Sequence, residues 1–279
     1  MRKIIGVTVL LVFLGVVFTV VGFLLSDNTD FVIFDTADYT LKELTYEAVE
    51  IDDLKLILNN REVSIVPSET DQIIITYYES ENDWFDVEKD DNQLEIINRT
   101  KWFFGFSWGL FNLSGSNYDE VKIQLPSSVI DYSIDITTSN GAIELNDLVQ
   151  LKELKLKSSN GAIKVNDIHV TDYFKIDTSN GKITINDVSS DVLMNVHTSN
   201  GGIYLDGLST NNLNASTSNG SIEIKISGKY EDYRIEMDTS NGSTYINGVE
   251  KNDSVYNPSE QNVLNIDTSN GSIRLNFID

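Results

Sequence analysis

Three aspartates, Asp147, Asp167 and Asp187, recur at 20-residue intervals, each directly after an asparagine. If successive repeats stack, these carboxylates form a column with neighbours about 5 Å apart. Such a column can hold a hard cation such as calcium through oxygen ligands, or raise individual carboxyl pKa values by like-charge repulsion. Clustered carboxylates also cleave acidic polysaccharides on some parallel β-helices, but this column lacks the basic partners that reaction needs. Each Asp equally suits a turn, where its side chain bonds the backbone two residues on. His169 and His197 fall at different repeat positions with no Ser or Cys partner at a motif spacing, and read as surface residues. No Gly-x-Gly-x-x-Gly, Gly-Lys-Ser/Thr or Gly-Gly-x-Gly-x-Asp run is present. The sequence therefore points to no catalytic residue and no cofactor, and for metals it offers the three aspartates alone.

The elements that must carry these residues are set by a stronger signal. Ser-Asn-Gly occurs seven times, with Asn at 140, 160, 180, 200, 219, 241 and 270, in steps of 20, 20, 20, 19, 22 and 29 residues. The turn pairs are Asn140 and Gly141, Asn160 and Gly161, Asn180 and Gly181, Asn200 and Gly201, Asn219 and Gly220, Asn241 and Gly242, and Asn270 and Gly271. Around each turn apolar residues alternate: Phe174, Ile176 and Thr178 share one parity before it, Ile183 and Ile185 after it, and Val188 follows at a second corner. Period-2 alternation indicates half-buried strands. Asn and Gly are expected at the turn because both tolerate positive φ.

Asn-Gly between alternating runs is also the strongest local signal for an antiparallel hairpin. A parallel β-solenoid is favoured because identical residues at identical places align into hydrogen-bonding ladders when coils stack, and a meander gains nothing from such identity. The expectation is an all-β solenoid of about eight coils of ~20 residues, a rod about 40 Å long.

Residues 4 to 25 contain no charge and are long enough to span a bilayer as a helix; Arg2 and Lys3 precede them. This predicts a single-pass anchor at 1–25 with a cytoplasmic N-terminus and an extracytoplasmic remainder. The apolar run is long for a cleaved signal peptide, and Leu24-Leu25-Ser26-Asp27 offers no small-x-small cleavage site. There is no cysteine, so no disulfide framework supports the exported part. The whole chain carries 20 basic and 43 acidic residues, net −23. A surface this acidic repels phosphate backbones and disfavours nucleic acid as a partner.

Residues 26–50 read as an acidic juxtamembrane connector, and 51–279 as one solenoid domain: irregular first coils over 51–130, Ser-Asn-Gly repeats over 131–279. Inside the irregular part lies an aromatic segment, 101–111, with Trp102, Phe103, Phe104, Phe106, Trp108 and Phe111. It is a candidate plug for the solenoid end, membrane-interface contact or partner surface. The long last step implies a loop at about 250–262 around Pro258, and no cap is recognisable after Phe277.

The N-terminal apolar helix, the irregular β region and the coils turning at Thr-Ser-Asn-Gly together resemble the bacterial β-strand-repeat proteins described as adhesins. Within them the chain is most similar to LiaG-type proteins, which are associated with a cell-envelope stress operon. The resemblance covers residues 50 to 279 and the anchor, and brings no catalytic residues. It implies a non-catalytic cell-membrane protein that acts through an envelope or membrane protein partner, with a surface-ligand adhesin as the alternative and a wall-glycan enzyme third.

Overall fold

Repeats whose apolar parity is conserved can bury it only by stacking in register, and the strand pairing is of that kind. In the computed structural model, which describes residues 38–101, 118–127 and 131–278, Leu156 pairs with Ile176, Ile176 with Val196 and Val196 with Ala215, all in parallel. On the facing sheet Val165, Ile185, Leu205 and Ile224 form the matching file, also parallel. Both files are essentially sealed from solvent. The hairpin alternative is thereby excluded for the repeats, and the chain is an all-β parallel solenoid with one continuous core. Each fully buried Ile or Leu in such a file contributes about 2 kcal/mol. Residues Tyr39–Asp279 make up a single compact unit.

The corners do not use asparagine and glycine as expected. No residue of any Ser-Asn-Gly turn has positive φ; the left-handed positions lie at the second corner instead, at Asp147, Asp167 and Asp187, with φ of 56°, 53° and 52°. Glycine is required at the first corner because neighbouring backbones approach there. A Cβ at Gly161 would lie 1.7 Å from the carbonyl oxygen of Gly141, and one at Gly181 would lie 1.9 Å from that of Gly161. Spacing alone cannot distinguish a glycine needed for φ from one needed for close approach.

Coil order in space departs from coil order in sequence at both ends. Strand Asn262–Thr268 pairs on one side with Asn212–Thr217 and on the other with Tyr233–Thr239. Strand Ile273–Ile278 likewise lies between Ile222–Ser227 and Thr244–Ile246. The last repeat is thus intercalated, and the repeat before it forms the distal end. At the other end Asp53–Ile57 lies between Gln93–Thr100 and Tyr132–Thr138, and Glu62–Ser68 lies between Glu120–Pro126 and Ile143–Asn146.

Both ends are closed by antiparallel strands, which blunts the exposed edges. Distally, Val249–Lys251 folds back on Thr244–Ile246, and Val255–Tyr256 on Tyr233–Thr239. The stretch expected to be a loop around Pro258 therefore supplies the cap that was not recognisable in sequence. Its two-residue and three-residue strands are too short to show alternation.

Proximally, Asp83–Asp90 covers Gln93–Thr100, and Thr40–Glu47 covers Gln72–Glu79. Residues 40–50, assigned to the connector for their acidity, instead form this edge strand and a 3₁₀ turn, Ala48–Glu50. Leu44 and Tyr46 pack on the core while the acidic residues face solvent. Among the described residues no helix is long and apolar enough to cross a membrane; the apolar run 4–25 lies outside them.

Candidate functional site

The recurring polar residues are consumed in holding coils together. Asn160 donates its side-chain Nδ2 to Asn140 Oδ1 at 2.5 Å, Asn180 to Asn160 at 2.7 Å, Asn200 to Asn180 at 2.8 Å and Asn219 to Asn200 at 2.8 Å. The file continues through Asn270 to Asn241 and begins with Asn140 donating to Asn60. A second file joins Asn146, Asn166 and Asn186.

Beneath the first file runs a buried column of hydroxyls. Thr178 Oγ1 donates to the Gly161 carbonyl at 3.2 Å and accepts from Gly181 N–H at 3.2 Å, and Ser158 and Thr198 do the same one coil away on either side. Buried backbone groups at the turn are satisfied in this way.

Asp147, Asp167 and Asp187 are stacked, each donating its backbone N–H to the residue before the next corner: Asn166 at 3.1 Å, Asn186 at 3.0 Å and Asp206 at 2.8 Å. All three side chains are exposed. The file ends at Gly207, whose φ is 69° and where a Cβ would meet Asp187 Oδ1. A short polar side chain lowers the cost of the left-handed conformation. Among the described residues no group of three or more His, Cys, Asp or Glu is placed to hold a metal ion.

Neither histidine stands alone, contrary to the reading from spacing. His169 Nδ1 lies 2.7 Å from Ser189 Oγ, and its Nε2 lies 3.2 Å from Asp191. His197 Nδ1 lies 2.9 Å from Ser216 Oγ. The solenoid brings each Ser from the next coil, a relation invisible without register. Ser189, His169 and Asp191 have the composition of a hydrolytic triad, but the surroundings do not suit one. The N–H groups of Ser189 and Asp191 are committed to the carbonyls of Ile168 and Val170 at 3.0 Å each, so neither is available as an oxyanion donor. The Asp191 side chain is 67% exposed. The same His–Ser contact without a carboxylate at His197 marks the pair as a rung between coils.

The densest charged and aromatic cluster of the described residues surrounds Arg61, at the proximal end. Its side chain is 2% exposed, ion-paired to Asp83 at 2.5 Å and to Asp119 at 3.8 Å. It also donates to the carbonyls of Tyr118 and Tyr78. Asp83 is further held by Asn98 at 2.7 Å and by the Tyr39 hydroxyl at 3.3 Å. The guanidinium lies over the rings of Tyr39 and Phe85. Tyr118 stacks on Tyr39, ring centroids 5.2 Å apart, and meets Tyr78 edge-on at 5.0 Å. Burial raises the Asp119 carboxyl above the ordinary range, with Arg61 opposing and Asp83 adding to the shift.

Lys101 opens the aromatic segment and Tyr118 lies beyond it in sequence; Lys101 N–H bonds the Asn82 carbonyl at 2.9 Å, beside this cluster. Trp102, Phe103, Phe104, Phe106, Trp108 and Phe111 lie outside the described residues. Sequence reasoning missed Arg61, because its partners come from four separate stretches of chain.

No curated protein matches the chain significantly. Among solved structures, one from Bacteroides fragilis provisionally described as an adhesin is 15% identical, covering 86% of this chain and 97% of its own, with a TM-score of 0.46. A provisionally described cell adhesion protein from Clostridium sporogenes, also 15% identical, covers 86% of this chain and 100% of its own, with a TM-score of 0.37. A provisionally described lipid-binding protein from Parabacteroides distasonis is 13% identical, covering 87% and 98%, with a TM-score of 0.31. The family model that matches residues 51–261 is Toastrack DUF4097, and the chain belongs to that family.

Proposed function

We propose that this is a non-catalytic, membrane-tethered protein of the cell envelope, of the LiaG type, whose solenoid presents a partner-binding surface at its proximal end. The observation that carries the reading is the stack of Tyr39 on Tyr118. Tyr39 follows the apolar run 4–25 in sequence, and Tyr118 follows the aromatic segment 101–111. The residues that follow these two stretches in sequence thus meet at one end of the rod, beside buried Arg61. Exposed aromatic residues suit the interfacial region of a bilayer or the surface of a membrane protein. The strongly acidic remainder keeps the rod soluble and off anionic surfaces.

The test replaces Trp102, Phe103, Phe104, Phe106, Trp108 and Phe111 with Ser in the full chain and compares in-cell crosslinking with wild type at equal expression. Loss of membrane or envelope adducts in the variant supports the proposal. An unchanged adduct pattern refutes the proximal surface and moves the search to the coil faces.

A further inference from the structure

We infer that Asn241 is a site of spontaneous deamidation, and that the asparagine file protects the other six Ser-Asn-Gly turns from the same reaction. Asn-Gly is the dipeptide most prone to this chemistry, because a glycine leaves the following amide nitrogen unhindered. The Gly nitrogen attacks the Asn side-chain carbonyl carbon and a C–N bond forms. The attacking nitrogen's own proton passes to solvent base, and the side-chain nitrogen takes up a proton from water and leaves as ammonia. Water then opens the resulting succinimide at either carbonyl, giving Asp or isoaspartate. No enzyme, oxidant or cofactor is required.

Cyclisation requires the Asn amide to swing free of its partners and the Gly nitrogen to approach it. In Asn140, Asn160, Asn180, Asn200, Asn219 and Asn270 the amide is held from both sides: Nδ2 donates to one neighbour and Oδ1 accepts from the next. In the turns of the first four, the Gly N–H is further bound to a Thr or Ser hydroxyl. Gly141, Gly161 and Gly181 are buried under the next coil.

Asn241 differs in each respect. It donates to Asn270 at 2.8 Å, but no described residue donates to its Oδ1. Gly242 is the one exposed glycine of the seven turns. The identity of this residue follows from the intercalated topology: sequence order would make Asn270 the free end, and space makes it Asn241. The chain has one further Asn-Gly pair, Asn247-Gly248. There Oδ1 accepts from Phe277 N–H at 2.9 Å, and a left-handed backbone holds the hairpin turn.

The product is a carboxylate at the distal tip, which cannot donate to Asn270. One or two side-chain hydrogen bonds that must break before reaction slow the protected sites by roughly tenfold.

The test incubates the full-length chain at mildly alkaline pH and follows all eight Asn-Gly sites by peptide mapping and mass spectrometry, with a urea-unfolded sample as reference. The expected result is conversion at Asn241 about tenfold faster than at the six flanked sites in the native sample, and comparable rates at all eight when unfolded. Asn241→Gln should remove the fast phase and leave the rest unchanged. Fastest conversion at Asn270, or equal rates at Asn241 and the six flanked sites in the native sample, would overturn the assignment.

Discussion

Asn241 donates its side-chain amide to Asn270 at 2.8 Å, and Asn270 in turn donates to Asn219 at 2.9 Å. The repeat that ends the sequence therefore lies inside the rod, bound on both faces, and the repeat before it has only this late coil to rest on. Closing the distal end requires the C-terminal strands to be made.

A chain ending at Glu260 tests this dependence. It lacks both strands of the intercalated coil, so residues 233–256 should lose protection from amide exchange while Asn212–Thr217 and the coils before it keep theirs. Protection retained over 233–256 would mean that the terminal coil docks directly on its sequence neighbour.

Gly161→Ala should cost about 3 kcal/mol or more in chemical denaturation, because the added methyl would sit 1.7 Å from a neighbouring backbone carbonyl that cannot move alone. Gly248→Ala is the control. At φ of 76° with open space around it, the cost should be about 1 kcal/mol, that of a left-handed alanine.

Thr178→Val keeps the shape of a fully buried side chain and deletes a hydroxyl that serves Gly161 and Gly181. Two backbone groups then lose a partner away from water, and we expect a loss of about 2 kcal/mol. A neutral result would show that the column contributes packing alone.

Tyr132→Phe should leave the protein as stable or slightly more stable at neutral pH, since the Tyr132 hydroxyl has no hydrogen-bond partner among the described residues. Burial pushes its phenol up to about 12. The unfolded phenol ionises near pH 10, so stability from the neutral form is intact below pH 10 and is lost as pH rises toward 12, by up to about 3 kcal/mol. Alkaline denaturation of wild type and variant should therefore diverge in that window and coincide below it.

The architecture of the middle coils was legible because parity marks the strands and the identity of successive repeats marks the stacking: Phe174, Ile176, Ile183 and Ile185 are all buried, as their alternation requires. What was not legible depends on register. Asn241 and Asn270 have the same local sequence, so nothing near either residue says which is terminal. The pairing of His169 with Ser189 exists only once two coils are stacked. Arg61 is one of several charged residues in an irregular stretch until Tyr39, Tyr78, Asp83, Tyr118 and Asp119 are brought around it. The turn glycines were found for the wrong reason, since a close approach between coils leaves the same sequence mark as a positive φ.

The proposed contact with the envelope lies at the proximal end and can be tested directly. Photocrosslinking groups placed singly at Tyr118 and at Glu250, in the full-length chain within cells, compare the two ends directly. Contact at the proximal end should give lipid or membrane-protein adducts from position 118 and few from position 250. Equal adducts at both positions, or adducts from position 250 alone, would contradict it.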